Sequence, residues 1–331
     1  MKRILFLLCM ILAAFQTVAA MGQKEAEFQL QPAVIRLGAI KGPSGIGMIH
    51  LLENPPILPG GDTIAIELVG SADAIVSKLL SGELDAAVLP VNLAAKLYNS
   101  GIDYRLAAIV GNGMVKVITT DPSVVGLADL SRRPVHVAGQ ASTPEFLLRA
   151  ILDHQGLSGD AAPILVFNLP IPEISASIIA GRIDLAVVPE PFASMILAGN
   201  SSAREAFSLN TLWKKATGLD DYPMTAFVVK AATARDRPAS VQSLMAAYQD
   251  SIAMMLADPQ TAGVLAEKFG IGLKAAVATK AIPLSNYVFL DASSARPMVE
   301  GLLKEFLDSA PVSVGGKLPD EGFYADFSQG R

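Results

Sequence analysis

Two stretches of the chain repeat nearly the same order of hydrophobic and polar residues. Residues 74–90 read AIVSKLLSGELDAAVLP, and residues 173–189 read EISASIIAGRIDLAVVP. In both, apolar residues at helical spacing lead to a glycine (Gly82, Gly181), and an apolar run then ends at a proline. The pattern predicts an amphipathic helix, a left-handed glycine just past its end, and a buried strand.

Each copy follows another apolar run, Thr63–Val69 in the first and 164–169 in the second. Each is therefore a strand–helix–strand unit, and strands that are apolar on both faces are typical of a parallel sheet covered by helices. Similar units arise by chance, but glycine, aspartate and proline recur here at one constant offset of 99 residues. We therefore predict two lobes built on the same α/β plan.

The remaining pattern extends this plan to a chain that crosses twice between the lobes. Further strands are predicted at 34–39, 104–110, Val115–Thr119, 134–138 and 225–230, and helices at 146–154, 241–257, 261–269, 273–280 and 295–309. With Val115–Thr119 and 225–230 as crossings, the first lobe comprises 33–118 and 231–331, and the second comprises 120–224. The predicted fold class is α/β, with parallel-rich sheets, helices on both faces and two hinge crossings. Ligand sites in such folds lie in the crevice where parallel strands end.

The first twenty residues have the order of a secretory signal peptide. Two basic residues precede an apolar run, 4–15, and the segment ends in two alanines. The run is shorter than the ~20 apolar residues that span a bilayer, so removal of residues 1–20 is predicted. A lipoprotein signal that uses Cys9 is the alternative, but Leu8 stands where lipoprotein processing prefers a small residue. We therefore expect an exported, periplasmic or extracytoplasmic protein without a lipid anchor.

Composition and charge narrow the class of protein. Hydrophobic residues make up 51% of the 331 residues and charged residues 17%, which is typical of a folded chain and not of a disordered one. The net charge is −5, and it becomes −7 once the two bases of the predicted signal peptide, Lys2 and Arg3, are removed. A field of that sign disfavours nucleic acid and anionic lipid surfaces as partners.

Cofactor chemistry has little support in the sequence. The single cysteine, Cys9, lies in the predicted signal peptide, so the processed chain would carry no disulfide, thiolate nucleophile, iron–sulfur cluster or cysteine-ligated zinc. His50, His136 and His154 are scattered, without a second histidine or a carboxylate at metal-ligand spacing. No Ser-His-Asp order or nucleotide-binding loop occurs in the sequence. We therefore expect no cofactor, no metal and no catalytic residues.

Several short motifs lie at fixed places in the predicted lobes. They are Gly42-Pro43-Ser44-Gly45 after the first strand, the Gly-x-x-Asp units at 82–85 and 181–184, Asp129-Leu130, the PEPF sequence at 189–192 and the LPDEGFY sequence at 318–324. Together with the predicted signal peptide, they resemble the solute-binding proteins of ABC importers for nitrate, taurine, alkanesulfonates and thiamine-pyrimidine precursors. The resemblance implies a two-lobed periplasmic-binding-protein fold of type II. It also implies a partner, an ABC permease with its ATPase, and we expect the binding protein to be a monomer.

Candidate ligand contacts lie in the loops at the predicted strand ends. Such loops present backbone N–H groups and short hydroxyls, which suit a carboxylate, a sulfonate or another oxyanion. The candidates are Ser44, Gly45, Ser71 and Asn92 in the first lobe, and Ser142 and Thr143 in the second. Helix capping is the alternative for Ser71 and Thr143. Only Lys41 supplies a base in or beside these loops, which disfavours a densely charged anion such as phosphate.

Two further candidates have more specific chemistry. Glu190 is held between Pro189 and Pro191 at the end of an apolar strand, so its carboxylate is predicted to accept hydrogen bonds from an ammonium, amide or ring N–H of a ligand. The alternatives are a bond to a helix N-terminus and a place at the rim that docks the permease. Tyr222 lies just before the second crossing and is therefore also predicted to contact the ligand.

These features predict an extracytoplasmic solute-binding protein for an ABC importer. The expected ligand is a small organic solute, namely a sulfonate, taurine, a pyrimidine or a related heterocycle. The alternative is an enzyme on the same fold, such as a pyrimidine synthase or a chorismate-type dehydratase. The predicted export signal, the lack of cysteine after processing and the three histidines count against that alternative.

Removal of residues 1–20 is directly testable. Because the basic, apolar and small residues follow in the order that signal peptidase requires, N-terminal sequencing of the exported protein should begin near Met21. A mature pool that retains Met1 would contradict the prediction.

Overall fold

The structure is a computed structural model that describes residues 31–327. The predicted signal peptide, with Cys9, lies outside the described residues. From Ala33 onward the chain forms one compact unit. None of the helices between residues 31 and 327 combines the length and the apolar character needed to cross a membrane.

Eleven strands are distributed along the described residues. They are β1 Val34–Ile40, β2 Thr63–Val69, β3 Ala86–Pro90, β4 Tyr104–Asn112, β5 Val115–Thr119, β6 Pro134–Val137, β7 Ile164–Val166, β8 Leu185–Pro189, β9 Arg204–Ser208, β10 Pro223–Lys230 and β11 Tyr287–Asp291.

Helices connect most of these strands and form the C-terminal part of the described chain. They are α1 Pro43–Gly47, α2 Ile49–Glu53, α3 Ala72–Leu80, α4 Val91–Asn99, α5 Thr143–His154, α6 Ile171–Ile179, α7 Phe192–Gly199, α8 Leu209–Thr217, α9 Ala231–Asp236, α10 Pro238–Ala257, α11 Pro259–Lys268, α12 Ala275–Ala281 and α13 Ala292–Ser309.

The strands form two separate mixed sheets. One has six strands in the order β11-β4-β10-β3-β1-β2, and the other has five in the order β7-β6-β8-β5-β9. In the first, β1 lies parallel to β2 and β3, and β10 runs antiparallel to its neighbours β3 and β4. In the second, β6 lies parallel to β7 and β8, and β5 runs antiparallel to β8 and β9. Each sheet with the helices that cover it is one lobe, so the fold is the two-lobed α/β fold that the sequence predicts.

The sequence repeat corresponds to a repeat in topology. β1 lies between β2 and β3 in the first lobe, just as β6 lies between β7 and β8 in the second. Gly82 and Gly181 follow α3 and α6 with φ values of 72° and 67°, the left-handed conformation that was predicted for them.

The places where the chain changes sheets differ from the predicted crossings. β5, expected at a crossing, pairs along its whole length with β8 and β9 and so belongs to the second lobe. β10 likewise belongs wholly to the first lobe. The chain therefore crosses at Gly113-Met114 and again between β9 and β10. The lobe limits given above (33–118 with 231–331, and 120–224) stay a prediction, which this strand membership would shift by a few residues.

Several elements were not predicted: the helices α4, α7, α8 and α9 and the strands β9 and β11. β11 interrupts a region that reads as helical throughout after residue 239, and its residues are mostly half-buried, so they give no strong strand pattern. β9 is likewise half-buried, and α8, which follows it, is amphipathic but only nine residues long. The C-terminal helices α10 to α13 lie close to their predicted positions.

Three apolar clusters form the core. The largest lies on one side of both sheets, where Phe146 of α5 and Phe306 of α13 pack with ring centroids 5.8 Å apart. The second fills the other face of the first-lobe sheet, beneath α10, and the third lies between the second-lobe sheet and the helices α6 and α7. Apolar packing therefore continues from one lobe into the other on the α5–α13 side.

Asp62 is a buried polar anchor of the first lobe. Its carboxylate accepts hydrogen bonds from the Ala33 N–H at 2.8 Å, the Ser240 hydroxyl at 2.8 Å and the Arg237 guanidinium at 2.5 Å. Burial alone would raise the pKa of Asp62, but these three hydrogen bonds hold it below its ordinary value. The ionised carboxylate thus fastens the start of β1 to the start of α10.

Asp62→Asn should destabilise the protein near pH 7 by about 2–4 kcal/mol, because it removes the charge from a buried ion pair. A lowered folded-state pKa contributes stability above the unfolded-state value of about 4, and this is lost as the pH falls through the folded-state value. Urea unfolding should therefore show that the difference in the free energy of unfolding between wild type and variant becomes smaller as the pH falls from 7 to 3. Asp250→Asn, exposed on α10, is the control and should differ from wild type by less than about 0.5 kcal/mol. A difference in the free energy of unfolding that stays constant with pH would contradict the role assigned to the ionised Asp62 carboxylate.

Candidate functional site

The two crossings are tied together by one carboxylate. Asp221 accepts hydrogen bonds from the Gly113 N–H at 3.2 Å, from Asn210 Nδ2 at 2.9 Å and from Asn286 Nδ2 at 2.7 Å. Asn210 and Asn286 also donate to the Gly113 carbonyl, each at 3.1 Å. A Cβ at Gly113 would lie 2.1 Å from Asn210 Nδ2 and 2.6 Å from Asp221 Oδ1, so a side chain there would displace the groups that bond this crossing. We call Gly113, Asn210, Asp221, Tyr222 and Asn286 the hinge cluster.

Tyr222 belongs to this hinge cluster. Its side chain is completely buried and packs edge-on against Trp213, with ring centroids 5.8 Å apart. Its hydroxyl accepts from the Val115 N–H at 3.3 Å and donates to Asn210 Oδ1 at 3.1 Å. Burial raises the pKa of Tyr222, so the phenol stays neutral. The structure therefore places this predicted ligand contact in the hinge, where its hydroxyl already has two protein partners.

Asn92 connects the two lobes directly. It lies completely buried in the first turn of α4, where its Nδ2 donates to the carbonyls of Ala141 at 3.2 Å and Ser313 at 3.4 Å. Its Oδ1 accepts from the Thr143 hydroxyl at 3.1 Å, and Thr143 is the first residue of α5 in the second lobe. Two of the predicted site residues, one from each lobe, are thus hydrogen-bonded to each other.

Capping at the start of α5 differs from the expected arrangement. Ser142, not Thr143, is the N-cap residue, and its hydroxyl donates to the Gly139 carbonyl at 2.7 Å instead of capping the helix. Ala141 has a φ of 57°, which is unusual for a residue with a side chain, and its N–H donates to the Glu145 carboxylate at 2.8 Å. Glu145 of α5 therefore holds Ala141 in the position where the Ala141 carbonyl accepts the hydrogen bond of Asn92.

The remaining first-lobe candidates have different surroundings. Ser71 is exposed and accepts from the Ala74 N–H at 3.3 Å, which is the capping alternative. Gly45 packs into the core, because a Cβ there would lie 2.8 Å from Ile271 Cδ1. Ser44 is half-buried beside it in α1, at the end of β1.

The loop that precedes α1 also meets the second lobe. Gly42 has a φ of 104°, and a Cβ there would lie 3.2 Å from the ring of Phe192 in α7. Met195, one turn further along α7, packs against the first-lobe cluster as well as its own. α7 is therefore the second-lobe helix that faces the end of β1.

Glu190 is completely buried at the end of β8 and has two internal partners. Its Oε2 accepts from the Ser194 N–H at 3.0 Å, so it caps α7, and its Oε1 lies 2.8 Å from Lys116 Nζ. Glu205 lies 3.2 Å from the same lysine. Burial alone would lower the pKa of Lys116, but the two carboxylates raise it, so the lysine stays charged. Lys116 was missed, although it is the only charged residue of β5.

Two tyrosines of the first lobe complete the region. Tyr287, at the start of β11, is buried and donates its hydroxyl to the Pro43 carbonyl at 3.0 Å. Burial raises the pKa of Tyr287 well above its ordinary value, and the nearby Tyr248 and Glu190 add to the effect. The charge of Glu190 thus acts on a tyrosine of the opposite lobe. Both tyrosines were missed, Tyr287 because β11 was not recognised and Tyr248 because it reads as a core position of α10.

The region between the lobes therefore combines one buried ion pair, tyrosine hydroxyls and aromatic rings. Such groups can orient a small molecule by donating and accepting hydrogen bonds on an apolar background. Within residues 31–327, His, Cys, Asp and Glu side chains form no group of three or more that could hold a metal ion.

Comparison with known proteins identifies the family. The model of the NMT1-like family matches residues 60–269. The chain belongs to the NMT1-like family. This assignment and the fold confirm the family resemblance noted in the sequence. A search among curated proteins found no match.

Solved structures agree with the family assignment. An ABC transporter protein from Parabacteroides distasonis is 31% identical, with a TM-score of 0.75, and the match covers 88% of this chain and 99% of that one. The periplasmic aliphatic sulphonate binding protein SsuA from Escherichia coli is 17% identical, with a TM-score of 0.67 and coverage of 88% and 93%. The periplasmic nitrate-binding protein NrtA from Synechocystis is 13% identical, with a TM-score of 0.65 and coverage of 86% and 84%. The last two share the two-lobed fold with this member of the family.

The Asn92–Thr143 contact predicts a change in lobe opening. Asn92→Ala removes hydrogen bonds that join the lobes, worth about 1 kcal/mol in net terms, so an open form of the unliganded protein should become about fivefold more populated. Small-angle X-ray scattering should then give a larger radius of gyration than for wild type. Ser71→Ala, which removes an exposed helix cap far from Thr143 in sequence, is the control and should leave the radius unchanged. Equal radii for wild type and Asn92→Ala would contradict a role in closure.

Proposed function

We propose that this protein is the extracytoplasmic binding component of an ABC importer. It takes up a small organic solute between its lobes and delivers it to a permease whose ATPase drives import. Membership of the NMT1-like family supports this, as does the 31% identity to an ABC transporter protein. The two-lobed fold and the predicted signal peptide agree with it.

The observation that carries the proposal is the Lys116–Glu190 pair at the junction of the lobes. A binding protein needs polar groups that act on a solute from a protected position, and here a buried cation and anion lie 2.8 Å apart. Across the junction, Gly42 of the first lobe lies against Phe192 of α7, the helix that Glu190 caps, so a solute held beside Glu190 would lie close to both lobes. Contacts with both lobes couple binding to closure, because they form only in the closed state.

The charges of this region favour some solutes of the predicted class over others. Lys116 faces two carboxylates, Glu190 and Glu205, so the local charge is not positive. A bare anion such as nitrate would meet net repulsion, as would a sulfonate without an amino group. Taurine carries an ammonium as well as a sulfonate, and an aminopyrimidine or related heterocycle carries N–H donors and ring acceptors. We therefore propose a solute with donor groups of its own.

Native mass spectrometry of protein purified from the periplasm tests whether a solute is carried. The expected result is a complex that releases a small molecule of unchanged mass after denaturation. An enzyme on the same fold would instead convert the molecule on incubation, so a new mass would favour the pyrimidine synthase or dehydratase alternative. Absence of any bound species, together with no heat of binding for taurine or 4-aminopyrimidine, would contradict the proposal.

Glu190→Gln tests the assignment of solute class. A charge-assisted hydrogen bond contributes about 1.5–3 kcal/mol, so affinity for whichever of taurine and 4-aminopyrimidine binds should fall about ten- to a hundredfold. Affinity for nitrate should rise in the same variant, because Lys116 loses one of its two carboxylates. Calorimetry with the three titrants measures both effects. Glu205→Gln, which alters the partly exposed partner of the same lysine, is the matched control and should change each affinity less. Parallel changes for all three titrants would contradict the charge argument.

A further inference from the structure

The buried side chain of Tyr248 in α10 carries a hydroxyl without a structural role. The side chain is completely buried, and within the described residues its hydroxyl has no hydrogen-bond partner. The ring itself is firmly placed, edge-on to Phe227 at 5.5 Å and to Phe289 at 6.2 Å between centroids. A buried hydroxyl without a partner is costly, and phenylalanine would fill the same space without that cost. The packing of α10 therefore does not account for the presence of this hydroxyl.

The residues next to the Tyr248 hydroxyl indicate its role. Gly47 of α1 lies against it, since a Cβ at residue 47 would be 3.4 Å from the Tyr248 oxygen and 3.6 Å from Cε1 of Tyr287. Tyr287 donates its own hydroxyl to the carbonyl of Pro43, and Gly42, the residue before Pro43, lies against Phe192 of the second lobe. The Tyr248 hydroxyl thus lies next to Gly47, a residue without a side chain, and near Tyr287, whose hydroxyl bonds the loop that meets the second lobe.

We propose that the Tyr248 hydroxyl recognises a polar atom of the transported solute and that glycine at position 47 keeps this hydroxyl accessible. The inference rests on the proposed function and adds a specificity-determining residue to it. A phenol both donates and accepts, so it recognises an amino group, a ring nitrogen or an oxygen of the solute.

Tyr248→Phe and a matched control separate recognition from structure. Tyr104 is the control, because it is also a buried tyrosine of the first lobe, but its hydroxyl donates to the Leu84 carbonyl at 2.6 Å. Tyr104→Phe should lower the Tm of the unliganded protein by about 2–4 °C through the lost hydrogen bond, and leave the affinity unchanged. Tyr248→Phe should keep or raise the Tm, and weaken binding of taurine or 4-aminopyrimidine about tenfold or more. The two variants thus have opposite signatures in stability and binding.

Gly47→Ala tests the second half of the proposal. Gly47 is not among the glycines with positive φ, and the new methyl would meet its neighbours at ordinary van der Waals distances. The fold and the Tm should therefore be preserved. Because the methyl would lie over the Tyr248 hydroxyl, the affinity should fall by about the same factor as in Tyr248→Phe.

The outcomes distinguish this inference from the proposed function. If wild type binds either titrant and Tyr248→Phe binds it equally well, the recognition role is overturned while the proposed function stands. If wild type binds neither titrant, the proposed solute class is wrong. The Tm values then still test whether the Tyr248 hydroxyl is bonded within the protein. A Tm that drops in Tyr248→Phe as in Tyr104→Phe would then mean that the hydroxyl is bonded within the protein, which overturns the inference. A Tm that is kept or raised supports it.

Discussion

The hydrogen bonds of Asp221 determine where the two sheets of this protein meet. One carboxylate binds the backbone at the first crossing, the side chain of Asn210 near the second crossing, and the side chain of Asn286 beside the end of β4. Because β4 ends and β5 begins on either side of Gly113, this cluster sets the distance between the strand ends of the two lobes. The separation between the Glu190–Lys116 pair of the second lobe and Tyr287 of the first lobe depends on that distance. The hinge cluster therefore helps to set the geometry of the candidate site, and its member Tyr222 stays a predicted ligand contact.

Much of the fold could be predicted because it repeats. The helix, glycine and buried strand at 74–90 and 173–189 became equivalent units in two sheets with the same local strand order. β2 and β5 were predicted with the bounds they have in the structure. β5 was nevertheless expected at a crossing, because an apolar run shows that a strand is buried but not which sheet it joins. Sheet membership depends on partners far away in sequence, here β8 and β9.

The candidate site was less predictable, since polar side chains in strand-end loops find partners that sequence does not reveal. Asn92 and Thr143 are hydrogen-bonded to each other although 51 residues separate them. No base lies in the loop of Glu190, whereas Lys116 reaches its carboxylate from a neighbouring strand. In a closed two-lobed protein these residues are buried, and buried polar groups must be paired. Which lobe supplies each partner follows from the tertiary structure alone.

The repeated frame also has a consequence for symmetry. The offset that relates the two units places Val91 of the first lobe in the position of Glu190 in the second. The first unit thus has a buried apolar side chain at this position, and the second has a buried carboxylate paired with lysine. The next pair of equivalent positions, Asn92 and Pro191, differs as well. The two units therefore share one backbone plan but carry chemically unlike residues directly after β3 and β8.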